Sequence, residues 1–153
     1  MNYSPIIDEL FIGTTPLTQD YDVLRDLNVG LVINMRIERR PYPDHHNPPM
    51  RTLWLPSIDS PILPIPLRKL RKGSLAALET IESGRAVYSH CASGKHRGVA
   101  MGAAILIALG YDPETAMELI KDRRHAADPD AWYIKRQIVR FANTWDKYKA
   151  SEK

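Results

Sequence analysis

Residues 87–99 read V-Y-S-H-C-A-S-G-K-H-R-G-V and hold the only cysteine of the chain. Ala86–Ser89 is short and β-rich, which predicts a buried strand. Val99–Leu109 is apolar all round, which predicts a helix buried on several sides, with Gly110 closing it. Cys91 therefore stands where a strand turns into a helix. A loop entering a helix N-terminus presents successive backbone N–H groups to one point, and the helix dipole favours an anion there. Gly94 permits the tight turn.

Arg97, at the helix start, can offer a bidentate fork to a tetrahedral oxyanion. The same positive field favours a thiolate at Cys91, poised to attack phosphorus and form a phosphocysteine. The amides of Ala92, Ser93, Gly94, Lys95, His96 and Arg97 would hold the equatorial oxygens, with Lys95 and His96 adding positive field and Gly98 following. This chemistry requires no cofactor and no metal. Two other readings compete. A lone cysteine is often a small buried hydrophobe, but strand, Gly, Arg and apolar helix together favour the nucleophile. A metal site at His90, Cys91 and His96 lacks a further ligand cluster. His90 is expected to orient the loop by hydrogen bonds.

Phosphoryl transfer also needs an acid for the leaving oxygen and a base for water. Asp59, in L-P-S-I-D-S-P-I-L-P on a proline-bounded loop after a strand, is the best candidate, against its alternative role as a turn residue. Asp44 is a second candidate acid. Arg36, at the end of a strand, and Lys95 are candidates for substrate contacts. Arg68, Lys69, Arg71 and Lys72 read as a solvated helix face. Arg123 and Arg124 read as cations suited to a helix C-terminus.

Beyond this loop, strands are expected at Glu9–Ile12, Leu31–Met35 and Thr52–Leu55, and helices at Thr18–Asn28 and Pro66–Ser83. Asp112-Pro113 and Asp128-Pro129 each resemble an N-cap followed by proline at the first helical position. Ile134, Ile138, Phe141, Trp145 and Tyr148 form a core-facing seam in the last helix. The stretch Ile37–Met50 reads as an exposed connector. Strands interleaved with helices, then a helical C-terminal half, imply an α/β fold with a largely parallel sheet. With 153 residues, 44% hydrophobic and 25% charged, the chain fits one domain, 1–153, its tail fraying from about 149.

The formal charge of +3 mildly favours anionic partners and falls short of a dedicated nucleic-acid face. One cysteine forms no internal disulfide, and the N-terminus lacks a signal-peptide pattern; a reducing, cytoplasmic setting, no membrane span and a monomer are the expectations.

H-C-A-S-G-K-H-R resembles the H-C-x₅-R motif of the cysteine-dependent protein tyrosine phosphatase superfamily. The order of parts, acid loop upstream and helices after the cysteine loop, is similar to a dual-specificity phosphatase. I-D-E-L-F-I-G and N-V-G-L-V-I-N-M-R resemble that family's opening strand and its strand before the variable loop. Gly94-Lys95-His96-Arg97 and Asn34-Met35-Arg36-Ile37-Glu38 are similar to the G-K-H-R and N-L-R-x-E of plant-and-fungal atypical members, some of which act on inositol pyrophosphates. The resemblance implies a dual-specificity-phosphatase-like fold, with Cys91 as nucleophile, Arg97 as phosphate clamp, Asp59 as general acid and base, and Asn34 and Arg36 in support.

It further implies a phosphorylated protein or an inositol phosphate or phosphoinositide as substrate. A non-catalytic phosphate-binding module and an RNA 5′-triphosphate phosphatase are the alternatives. Relatives usually carry Ser or Thr after the arginine, whose hydroxyl eases departure of the sulfur. Gly98 stands there in this chain, which implies slower breakdown of the phosphoenzyme.

Overall fold

The computed structural model describes residues 1–151. Its elements are β1 (Tyr3–Ile7), β2 (Leu10–Gly13), α1 (Tyr21–Asp26), β3 (Val29–Arg36), β4 (Arg51–Ser57), α2 (Leu67–Glu82), β5 (Ala86–His90), α3 (Arg97–Ala108), α4 (Pro113–Arg123) and α5 (Trp132–Ser151). The sheet order is β1-β2-β5-β3-β4. Only the β1–β2 pair is antiparallel; β2–β5, β5–β3 and β3–β4 are parallel. The expected mostly parallel sheet flanked by helices is the fold observed.

Side chains alternate across the central strands, as the pleat requires. Leu31, Ile33, Met35 and Val87 face one core with α3 and α5. Val29, Val32, Ala86 and Tyr88 face the other, with Tyr21 and Leu24 of α1. Every residue of α3 is buried, so its all-round apolar sequence has partners on all sides. This sandwiching holds the N-terminus of α3 against the carboxyl end of the middle strand, the end where open parallel sheets place their ligands.

Several expected boundaries shift. The β1 strand was not anticipated: it is an edge strand carrying Pro5, which an edge tolerates. The expected helix Thr18–Asn28 divides into a short 3₁₀ turn, Thr18–Asp20, and α1. Asn28 closes it with φ of 62°, a conformation Asn tolerates better than most side chains. Asp112 caps α4, accepting from the Thr115 amide at 2.8 Å. Asp128-Pro129 does not start a helix; α5 begins at Trp132, its first turn closed on the Ala131 carbonyl. Ile134, Ile138, Phe141 and Trp145 are buried as the seam implies. The α5 helix runs through Ser151; residues 152 and 153, on which the expected fraying partly falls, lie outside the described residues.

The connector 37–50 is more than a solvated link. Asp44, only 4% exposed at its side chain, is paired with Arg25 and accepts from the Met50 and His46 amides at 2.6 and 3.2 Å. Burial alone would push its carboxyl up, but Arg25 and these amides outweigh it and hold it well below the usual range. Tyr21 donates to the Tyr42 carbonyl at 2.8 Å. These bonds fix Asp44 as an anchor of the connector, and none of them reaches the cysteine loop.

Because Asp44 has a depressed pKa in the folded state, its contribution is present above the unfolded value and fades as pH falls toward the folded one. Asp44→Ala is expected to cost about 2 kcal/mol at neutral pH, read by urea unfolding, with a smaller difference from wild type in strong acid.

Candidate active site

Cys91 ends up 2% exposed, just past β5. The loop after it is held by its carbonyls. The Cys91 carbonyl accepts from Thr15 Oγ1 at 3.3 Å, and those of Ser93 and Gly94 accept from Arg124 Nη2 and Nε at 3.0 and 2.9 Å. The Lys95 carbonyl accepts from the Asp128 amide at 3.0 Å. In a trans peptide the N–H points opposite to the C=O. The amides of Ala92, Gly94, Lys95 and His96 are therefore turned to the other side. Among the described residues, none of these four donates to a protein group. They form a nest of uncommitted donors at a helix N-terminus, an arrangement suited to an anion.

Glycine is needed at Gly94, and Gly98 is closely fitted. Gly94 has φ of +65°, and a Cβ there would come within 2.7 Å of Arg124 Nη2 and of the Gly13 carbonyl oxygen. At Gly98 a Cβ would stand 3.1 Å from His90 C and Cα and 3.2 Å from Cys91 N. The missing hydroxyl thus goes with a close approach of α3 to the end of β5. Ser89 secures the same joint by donating to the Gly98 carbonyl at 2.9 Å.

Arg97 is 6% exposed, and its guanidinium is oriented by two groups. Nη1 and Nη2 meet the Glu38 carboxylate at 2.7 and 2.9 Å, and Nη1 also donates to the Ser57 carbonyl at 2.9 Å. The Arg97 hydrogen bonds pull the Glu38 pKa down to about 2. Of the five donors on a guanidinium, two remain: Nε–H, which has no partner among the described residues, and the second Nη2 hydrogen. Together they make a side-on fork for a tetrahedral oxyanion.

Asp59, 36% exposed at its side chain, is joined to the loop through His96. Its Oδ2 lies 2.9 Å from His96 Nδ1, and its Oδ1 accepts from the Tyr133 hydroxyl at 2.8 Å. On the far side, His96 Nε2 faces Asp128 Oδ2 at 3.3 Å. Burial raises the Asp59 pKa, but bonds from His96 and Tyr133 outweigh it and leave the carboxyl below its ordinary value. The Tyr133 hydroxyl, by contrast, is pushed up to about 12, first by burial and then by Asp59.

Other expected residues hold the frame. Asn34, fully buried, accepts from the Arg36 amide at 2.7 Å and donates to the Arg39 carbonyl at 3.0 Å. Arg36 reaches Thr15 Oγ1 at 2.8 Å and Glu38 at 3.2 Å, so it braces the loop's neighbours. Lys95, Ala92 and Ser93 are exposed beside the nest. His90 is 1% exposed and, among the described residues, its Nδ1 has no partner, so the expected orienting hydrogen bond is not made from that nitrogen. Burial lowers its pKa to about 3, although the adjoining Cys91 backbone works the other way. His90 packs as a neutral ring.

Arg124 overturns its reading as a helix-end cation. It is 3% exposed and, besides Ser93 and Gly94, donates to Asn2 Oδ1, Ser4 Oγ and the Ile12 carbonyl at 3.0, 3.1 and 3.4 Å. Glu38, Tyr133 and Thr15 also went unassigned in the sequence, and Asp128 was read only as a helix cap. Only Glu38 left a trace, inside the N-M-R-I-E stretch. Arg124→Met should cost about 3 kcal/mol by orphaning buried carbonyls. It should also weaken inorganic phosphate binding, measured by calorimetry, by about tenfold while Arg97 stays in place.

No family model matches the chain, and no curated protein matches its sequence. Solved structures do match. A single-residue variant of human DUSP28 superposes with a TM-score of 0.85 at 20% identity, covering 97% of this chain and 99% of that one. PTPMT1 matches at 27% identity and a TM-score of 0.79, again covering 97% and 99%. PTPMT1 in complex with PI(5)P matches at 26% identity and 0.80, covering 96% and 98%. No helix among the described residues is long and apolar enough to cross a membrane. The chain resembles the dual-specificity phosphatases along nearly its whole length, and its fold is that of the cysteine-dependent tyrosine phosphatase superfamily.

Proposed function

We propose that the chain is a cysteine-dependent phosphatase that hydrolyses phosphate monoesters through a phosphocysteine intermediate. One observation carries this reading: Cys91 adjoins a nest whose carbonyls are tied outward and whose amides are uncommitted. A buried inert thiol would need no such loop.

In the first step the Cys91 sulfur attacks phosphorus, the P–O bond to the leaving group breaks, and its electron pair goes to the leaving oxygen. That oxygen takes a proton from Asp59. The nest amides and the free edge of Arg97 hold the equatorial oxygens. In the second step water attacks phosphorus, Asp59 takes the water proton, and the P–S bond returns its electrons to sulfur. The depressed pKa of Asp59 gives the carboxylate in the resting site. The acid step therefore draws on the fraction of enzyme that carries the proton, and a bound phosphate dianion enlarges that fraction by opposing a second negative charge.

The sign of the resulting pH effect follows. Tyr133 and His96 both favour the carboxylate, so removing either raises the Asp59 pKa. Tyr133→Phe should move the alkaline limb of the rate profile, where the acid is lost, to higher pH. An unmoved limb would count against Asp59 as the acid.

The substrate is a phosphorylated protein or an inositol phosphate or phosphoinositide. PTPMT1 bound to PI(5)P is among the matching structures, which supports the inositol side. Phosphate release by wild type and Cys91→Ser should be compared on p-nitrophenyl phosphate, phosphopeptides, phosphoinositides, soluble inositol phosphates and triphosphorylated RNA. Activity lost in Cys91→Ser is the expected outcome. Gly98 favours one other reading, a phosphate-binding module without turnover, and silence of the folded wild type across the panel would support it. With Gly98 in place, hydrolysis of the phosphoenzyme should be slow enough to give a pre-steady-state burst. Its absence would contradict that assignment.

A further inference from the structure

Several exposed apolar side chains lie close in the chain to residues that hold the site. Ile37 adjoins Glu38, Ile58 adjoins Asp59 and Trp132 adjoins Tyr133, so each is the chain neighbour of a residue that holds the site. They are 53%, 40% and 62% exposed, and Ile62 and Leu63, on the same loop as Asp59, are 85% and 53% exposed. Ile37, Ile58 and Leu63 line one shallow cavity of about 220 Å³ with Ser57, whose carbonyl receives Arg97. Isolated exposed hydrophobes need no explanation, but three lining one cavity beside the site, with Ile62 on the same loop as two of them, do.

Lys69 belongs to that cavity and also to a neighbouring groove of about 440 Å³, lined by Trp54, Arg68, Arg71 and Lys72. Among the described residues none of Arg68, Lys69, Arg71 and Lys72 pairs with a carboxylate. From Arg51 to Leu78 the only acidic residue is Asp59. Protruding apolar tips thus adjoin a cationic helix face beside a phosphate-type site.

We propose that this face docks on an anionic lipid surface, with Ile62, Leu63 and Trp132 entering the interface and Arg68 and Lys72 meeting the headgroup charge. Lys69, whose ammonium donates to the Pro56 carbonyl, holds the helix to β4 beside it. The enzyme would thereby act on a phosphorylated lipid headgroup in place. The inference rests on the phosphatase reading for the reaction, but not for the docking. Free inositol phosphates would be served by cations around the mouth and gain nothing from bare isoleucine. A protein partner would have to supply a socket for each protruding side chain. A bilayer interface accepts apolar tips and supplies negative charge in one plane. Trp at such a boundary fits the same division of environments.

Co-sedimentation tests this, using the intact chain with vesicles of phosphatidylcholine alone or mixed with phosphatidylserine. Wild type and Cys91→Ser should both bind the mixed vesicles and largely ignore the neutral ones. Ile62→Asp with Leu63→Asp should weaken binding by about tenfold or more, and Arg68→Glu with Lys72→Glu by about 30-fold or more. Both pairs should leave p-nitrophenyl phosphate hydrolysis unchanged, which also reports that they fold. Turnover of a vesicle-borne phosphoinositide should fall in step with binding, while that of its soluble headgroup should not. Vesicle binding without phosphate release on any substrate would retain the docking face and sink the phosphatase reading alone. Wild type indifferent to the mixed vesicles overturns the proposal, as does binding untouched by both variant pairs. Variants that spare vesicle binding but lose phosphopeptide turnover would reassign the face to a protein.

Discussion

The site depends on one buried cation. Arg124 leaves the end of α4, passes beneath the cysteine loop, and donates to the carbonyls of Ser93 and Gly94 while also holding Asn2, Ser4 and Ile12. A guanidinium with five donors suits this, because it can satisfy several carbonyls from one position. Its effect on the loop is directional. By fixing where the carbonyls point it fixes where the amides point, and so converts a flexible turn into a preorganised anion nest. Burial lowers the Arg124 pKa below its usual value, and Tyr88 and Cys91 oppose this only in part.

Around that nest, the other charged groups arrive from elements far apart in the chain. Glu38, after β3, turns Arg97 so that one edge stays free. His96, inside the loop, joins Asp59 from the α2 approach to Asp128 and Tyr133 from the α5 approach. Cys91, Arg97 and Asp59 are therefore not independent of their surroundings. Thr15 holds the Cys91 carbonyl, Glu38 the Arg97 guanidinium, and His96 and Tyr133 the Asp59 carboxylate.

The division between what could and could not be read from sequence follows the same line. The cysteine loop was legible because its parts are contiguous: strand, Cys91, Gly94, Arg97 and an apolar helix occupy one short run. The parallel sheet was legible from β3 and β5, whose near-continuous apolar runs mark strands buried on both faces. Glu38, Tyr133 and Asp128 were not, because an ionic or hydrogen-bonding role across long sequence separation leaves no periodic trace. Arg124 was misread because its position at a helix end offers a sufficient local explanation, while its true partners lie in β1, β2 and the cysteine loop. Asp128-Pro129 failed similarly. A good local cap sequence is used instead in a tertiary bond, the Asp128 amide reaching the Lys95 carbonyl, and α5 begins only at Trp132.

The claim on which the rest turns is that phosphate passes through Cys91. It is tested most directly by quenching the wild-type enzyme with acid during turnover of p-nitrophenyl phosphate and locating the phosphate by mass spectrometry of the peptides. The account predicts a phosphorylated peptide spanning Cys91, with the phosphate on sulfur and none in Cys91→Ser. Turnover that proceeds with no phosphate on Cys91, or that survives Cys91→Ser, would contradict it.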